Sequence, residues 1–124
     1  LMVLVGVEVG DEVADADWLA SKTAGSRIFV DQNGVINNSF VAVDGHILVI
    51  RKFTFPSSTR KGNRPSYIRA AGHDLAVPLY ECYCAELARL TGHEPQRGIF
   101  GADMKVSLVN DGPVTIIIDS RLKE

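Results

Sequence analysis

The stretch that most constrains this chain lies near its end, Val106-Ser107-Leu108-Val109-Asn110-Asp111-Gly112-Pro113-Val114-Thr115-Ile116-Ile117-Ile118. Two apolar runs rich in β-branched residues flank a polar interruption. Such side chains pack well on a pleated surface, so both runs read as strands. Asn110, Asp111 and Gly112 tolerate positive φ at low cost, which is turn chemistry. Pro113 locks its own φ and removes a backbone donor, which bars it from the interior of a central strand. A Gly–Pro bond reaches the cis form at a cost of about 0.5–1 kcal/mol. From pattern alone the stretch is a tight hairpin turn between two strands.

A chain of 124 residues supports one core, and a single domain over 1–124 is expected. Hydrophobic content of 46% and charged content of 23% are ordinary for a soluble globular protein. No apolar run approaches the roughly 20 residues of a membrane span. The first residues form no basic segment followed by an apolar one, so no secretory signal pattern is present. Cys82 and Cys84 sit two apart in a helical stretch and face different ways, which disfavours a mutual disulfide and fits a reducing, cytoplasmic setting. The opening run, Leu1-Met2-Val3-Leu4-Val5-Gly6-Val7, reads as a buried strand already under way. The expectation is that the natural protein starts earlier and that N-terminal strands are missing.

Asp11 is expected to cap a helix over residues 11–24, with Trp18 and Leu19 as its apolar anchors and thin packing over 23–26. Arg27-Ile28-Phe29-Val30 reads as a strand and Asp31-Gln32-Asn33-Gly34 as a hairpin-type turn. Phe40-Val41-Ala42-Val43 reads as a strand, Asp44-Gly45 as a turn, and Ile47-Leu48-Val49-Ile50 as a buried strand. Asp74 is expected to cap a second helix over 73–90, with Leu79, Tyr83, Leu87 and Leu90 as its buried stripe and Thr91-Gly92 as its end. Pro78 falls in its first turns, where proline costs least. Tyr80 and Tyr83 read as core rather than as a stacking platform.

Charge is unevenly placed. Between Gly45 and His73 there is no Asp or Glu, while Arg51, Lys52, Arg60, Lys61, Arg64 and Arg69 all fall there, on a chain whose net charge is −2. Phe53, Phe55, Gly62, Asn63 and Tyr67 lie among them. Such a loop suits phosphate contacts, which are electrostatic and need little geometry; it also suits a solvated surface loop that lacks acids. His46, His73 and His93 have no partner at metal-ligand spacing, and Asp15 and Asp17 read as a solvated helix face. No nucleophile elbow or P-loop appears, and neither a metal nor a cofactor is expected.

Asn110-Asp111-Gly112-Pro113-Val114-Thr115 matches the Asn-x-Gly-Pro-Val-Thr signature of the D-aminoacyl-tRNA deacylases, also called D-tyrosyl-tRNA deacylases. Four further segments resemble the same family in order and spacing: Arg27-Ile28-Phe29 with Asp31 and Gly34, Lys61 through Tyr67, Pro78-Leu79-Tyr80, and Gly98 through Met104. The resemblance covers essentially the whole chain. It implies an α/β fold in which a bent, largely antiparallel, barrel-like sheet system (three layers, α/β/β) is covered by two helices. It implies a cytoplasmic, metal-independent homodimer. The reaction implied is hydrolysis of the ester joining a D-amino acid, or glycine, to the terminal adenosine of tRNA, a chiral proofreading step in translation.

In this family Gly112-Pro113 would be a cis dipeptide reaching into the partner's pocket, where rigid backbone rejects an L side chain. Asn110, Gly112, Pro113, Val114, Thr115, Phe100 and Met104 would bind substrate. The family's Ser-Gln-x-x-Leu motif falls on Arg51-Lys52-Phe53-Thr54-Phe55, which keeps the Phe-Thr middle. Backbone amides of Phe53 and Thr54 would hold the scissile carbonyl. Arg51 and Lys52 would either contact phosphate or block the pocket, and with Arg60, Lys61, Arg64 and Arg69 they form the expected tRNA-binding set. The alternative is a non-catalytic nucleic-acid-binding relative of the same fold.

Overall fold

The computed structural model describes residues 1–52, 54–99 and 102–123. Strand β1 (Met2–Val5) leads into helix α1 (Val13–Gly25), the short strands β2 (Phe29–Val30) and β3 (Ile36–Asn38), strand β4 (Leu48–Arg51), helix α2 (His73–Thr91) and strand β5 (Gln96–Arg97). Two helices and small sheets make a mixed α/β fold. Strands β1, β4 and β5 form one sheet in that order and β2–β3 a second. Both ladders of the larger sheet are parallel, with Met2 beside Leu48 and Leu48 beside Gln96. The expected largely antiparallel sheet is therefore corrected among the described residues. The reason is connectivity: α1 lies between β1 and β4, and α2 between β4 and β5, and a helical crossover returns the chain in the same direction.

Helix α1 begins two residues later than expected. Glu12, not Asp11, is its N-cap, and its backbone amide donates to Asp15 Oδ2 at 2.8 Å in a reciprocal capping box. Asp11 instead accepts from the Glu8 amide at 2.8 Å and so closes the preceding turn. Its buried face is Ala16, Ala20, Thr23 and Ala24, so the packing over 23–24 is close rather than thin. Small side chains let α2 approach, and the buried residues of α2 are Ala76, Leu79, Tyr83, Cys84 and Leu87. Trp18 sits half-buried on the flank, with the Lys22 and Lys123 ammonium groups 5.6 and 5.0 Å from its ring centre. Within the core, Thr23 Oγ1 and the Tyr83 hydroxyl lie 2.8 Å apart, and Thr23 also donates to the Leu19 carbonyl at 2.8 Å.

Helix α2 starts as expected, but Gly72 is its N-cap and no side chain caps it; Asp74 lies inside the first turn. The helix runs through Pro78 and stops at Gly92, which takes φ 78°. The β2–β3 turn is held by Asp31, whose Oδ1 accepts from the Asn33 and Val35 amides at 2.8 and 3.0 Å. These backbone bonds, Val35's foremost, hold the Asp31 carboxyl below the usual range.

Three strand expectations fail. Residues 40–44 form a turn: Ser39 Oγ accepts from the Ala42 amide at 3.1 Å, and Asp44 takes φ 48°. Phe40 plugs the core at 1% exposure while Val41 and Val43 face out, and a Cβ on Gly45 would stand 2.6 Å from the Phe40 ring. Residues 102–118 carry no strand assignment. Strand propensity needs a ladder partner to be realised, and none is described for 106–109 or 114–118. Val109 and Ile117 remain 91% and 84% exposed. Among the described residues, no helix is long and apolar enough to cross a membrane.

Candidate functional site

Alternation along β4 sends its residues to opposite faces. Val49 is fully buried in the core shared with Tyr83 and Leu87, while Leu48 and Ile50 line an open groove on the other face. The groove, about 410 Å³, is completed by Gly98 and residues 104–107. The Met104 thioether occupies the space that a side chain at residue 98 would need. Of the expected substrate-binding residues, Met104 lines this groove; Phe100 lies outside the described residues. Lys105 and Ser107 add the polar groups. Neither was singled out in the sequence, nor were Leu48 and Ile50 as site residues.

The expected catalytic turn follows β4 directly. The Lys52 amide donates to the Val5 carbonyl at 2.7 Å and the Phe55 amide to the Lys52 carbonyl at 3.2 Å. Thr54 is exposed on this turn, and Phe53 lies outside the described residues. Gly6 is what lets the turn close on β1, because a Cβ there would lie 2.8 Å from Phe55 Cβ and 3.1 Å from Pro56 Cδ. Arg51 ends β4 half-buried, and desolvation lowers its pKa. Beside Val49, Tyr80 donates to that residue's carbonyl at 3.5 Å, and burial pushes its phenol up to about 12. The Arg97 guanidinium stands 5.8 Å from the Tyr80 ring centre, paired with Glu81 at 2.5 Å and Glu94 at 3.7 Å.

The basic span divides into two kinds of residue. Ser58 and Ser66 exchange backbone hydrogen bonds of 2.9 and 2.8 Å, which pinch off the loop carrying Arg60, Lys61 and Arg64. All three are exposed, as is Lys52. Arg69 is set apart, with its guanidinium 3.3 Å from Glu8 and donating to the Ser57 carbonyl at 3.5 Å.

Asn110, Gly112, Pro113, Val114 and Thr115 lie exposed in the segment that continues from the groove wall. The Gly112–Pro113 peptide is cis, as the resemblance implied, and Gly112 takes φ 137°. No described hydrogen bond or ion pair joins these residues to the groove. Among the described residues, no cluster of three His, Cys, Asp or Glu could hold a metal ion. His46 and His93 stack at 4.3 Å, and His93 Nε2 lies 2.8 Å from Asp44 Oδ1, which holds that carboxyl below its usual range.

A family model described as D-Tyr-tRNA(Tyr) deacylase matches residues 1–119. A protein of Phocaeicola vulgatus named D-aminoacyl-tRNA deacylase is 58% identical over 123 residues, 99% of this chain and 82% of that one. A protein of the same name from Parabacteroides distasonis is 52% identical over 124 residues, 100% of this chain and 83% of that one. Among solved structures, one titled c-Myc DNA unwinding element binding protein superposes with a TM-score of 0.84 at 30% identity, over 93% of this chain and 78% of that one. A probable eukaryotic D-amino acid tRNA deacylase superposes with a TM-score of 0.62 at 16% identity, over 75% of this chain and 55% of that one, a likeness of fold alone.

Proposed function

The chain belongs to the D-Tyr-tRNA(Tyr) deacylase family, and on that premise we propose that it hydrolyses the ester of D-aminoacyl-tRNA as a proofreading enzyme. The observation that carries this is that the match over residues 1–119 takes in the groove walls, the turn after β4 and the Gly112-Pro113 segment together. In this reading the terminal adenosine lies in the groove against Met104, and Phe100 is kept as a substrate-binding residue. Backbone amides of Phe53 and Thr54 hold the scissile carbonyl. Asn110, Gly112, Pro113, Val114 and Thr115 present backbone that collides with an L side chain, so discrimination comes from exclusion. Glycyl-tRNA, which has no side chain to reject, is a second substrate. Arg60, Lys61, Arg64 and Arg69 contact tRNA phosphates, Arg69 by leaving Glu8, while Arg51 and Lys52 act nearer the terminal adenosine.

The working form is a cytoplasmic homodimer. Its support is the apolar exposure of Val106, Leu108, Val109, Val114, Ile116 and Ile117, beside a segment that would supply Gly112-Pro113 to a partner's groove. Barrel-like closure of the sheet is proposed on the same ground. Light scattering that finds a monomer at micromolar concentration refutes the dimer.

The alternative, a nucleic-acid-binding relative without activity, draws on the neighbour named for DNA binding. A deacylation assay on D- and L-aminoacyl-tRNA separates the two. Hydrolysis of the D ester with the L ester spared is expected. Tight tRNA binding with neither ester cleaved selects the alternative.

A further inference from the structure

We propose that Lys105 is a phosphate anchor, holding the phosphate on the 5′ side of the terminal adenosine while the nucleoside lies in the groove. The proposal rests on the deacylase reading above and adds a residue to it. The groove presents Leu48, Ile50, Met104 and Val106 as apolar surface, which suits the flat face of a base. Among the residues lining it, Lys105 alone carries charge.

That charge is available. Its described partner is Asp103 at 3.6 Å, with the two side chains 93% and 92% exposed, so water screens the pair and holds it weakly. By contrast, Arg97 is paired with Glu81 and Glu94, and Arg121 with Glu8 and Asp11. Lysine offers a compact ammonium on a flexible stem, a point charge suited to a phosphate. Met104, adjacent in sequence, lays its thioether against Gly98, so the apolar wall and the ammonium come from neighbouring residues of one segment.

A phosphate remote from the scissile ester is held equally in ground and transition states. Its loss therefore raises KM and leaves kcat alone. The experiment compares D-aminoacyl-tRNA with two minimal esters, D-aminoacyl-adenosine and its 5′-phosphate, on wild type, Lys105→Gln and Lys105→Arg. For Lys105→Gln, KM should rise about 5-fold for the tRNA and the phosphorylated ester, with kcat kept. The ester lacking phosphate should not respond, and Lys105→Arg should restore binding. The salt slope of tRNA binding should fall by about 0.7. Asp103→Asn, which releases the lysine, should lower KM for the phosphorylated substrates. Equal KM changes with and without the phosphate, or no change with either, overturn the anchor while the deacylase reading stands. Titration with adenosine 5′-monophosphate and adenosine reads the contact without turnover: weakening by Lys105→Gln must be confined to the phosphorylated ligand. A wild type that binds both but cleaves no ester refutes the deacylase reading instead.

Discussion

Removing both partners of the buried Thr23–Tyr83 hydrogen bond should cost less than removing Thr23 alone. The two oxygens lie 2.8 Å apart, with Thr23 also donating to the Leu19 carbonyl at 2.8 Å. The threonine's one proton is spent on Leu19, so the Tyr83 hydroxyl is the donor between them. Tyr83 is 3% and Thr23 8% exposed, so water replaces neither partner. Tyr83→Phe removes the donor and strands nothing, because Thr23 keeps its bond to Leu19; the cost is that of an ordinary hydrogen bond, about 0.5–1.5 kcal/mol. Thr23→Val removes the acceptor and leaves a phenol buried without a partner, at about 1–3 kcal/mol. In the double variant the stranded phenol is gone, so its cost should fall back to about that of Tyr83→Phe. Urea unfolding of the four proteins, with unchanged m values, measures this directly. Additive losses, or a Thr23→Val cost no larger than that of Tyr83→Phe, would refute the assignment of donor and acceptor.

The same burial raises the Tyr83 phenol to about 12 from 10.0; stability carried by it is complete below pH 10 and is lost as pH rises through 12, so Tyr83→Phe should flatten the alkaline limb of a stability profile. Gly6→Ala places a Cβ 2.8 Å from Phe55 Cβ and should displace the 52–55 turn, lowering kcat on a D-aminoacyl ester at least about 10-fold; unchanged kcat would detach this turn from the chemistry. Neutralising Arg60, Lys61 and Arg64 together should weaken tRNA binding and flatten its salt slope by about 0.7–0.9 per lost contact, with kcat retained. Replacing Arg51 and Lys52 by Ser and Gln should raise KM if they hold phosphate, and raise kcat if they obstruct the groove.

What could be read from the chain follows the range of the forces involved. Helix α2, the Asp31–Gly34 turn and the β4 run were legible because their signals are local: a stripe at helical spacing, a capping glycine, an Asx turn. The anchors of α1 were read only in part: Leu19 does pack against the core, but a search for large side chains passes over Ala16, Ala20 and Ala24, whose smallness is what brings the helices together. Residues 40–44 carry strand-forming valines, yet Ser39 and Gly45 turn the chain there. The segment 106–118 has strand composition without a described partner. At the site, Met104 was named through the family signature. Leu48 and Ile50 could not be, because which face of β4 meets the groove is decided by the helices against Val49. Lys105, a single cation between apolar neighbours, forms no pattern at all.

The order in which the parallel sheet can be assembled has a consequence during synthesis. Met2 must wait for Leu48, and Leu48 for Gln96, so neither ladder closes from neighbouring segments. Long-range pairing of this kind is slow, because loop closure precedes any gain from contact. A nascent chain therefore carries its central strand β4 with one edge open until β5 emerges. At translation speeds of about 5–20 residues per second, that leaves the strand unprotected for seconds. Slower or cooler expression changes how long this edge stays open relative to encounters with other chains. Yield should thus respond to synthesis conditions even in variants whose folded stability is unaltered.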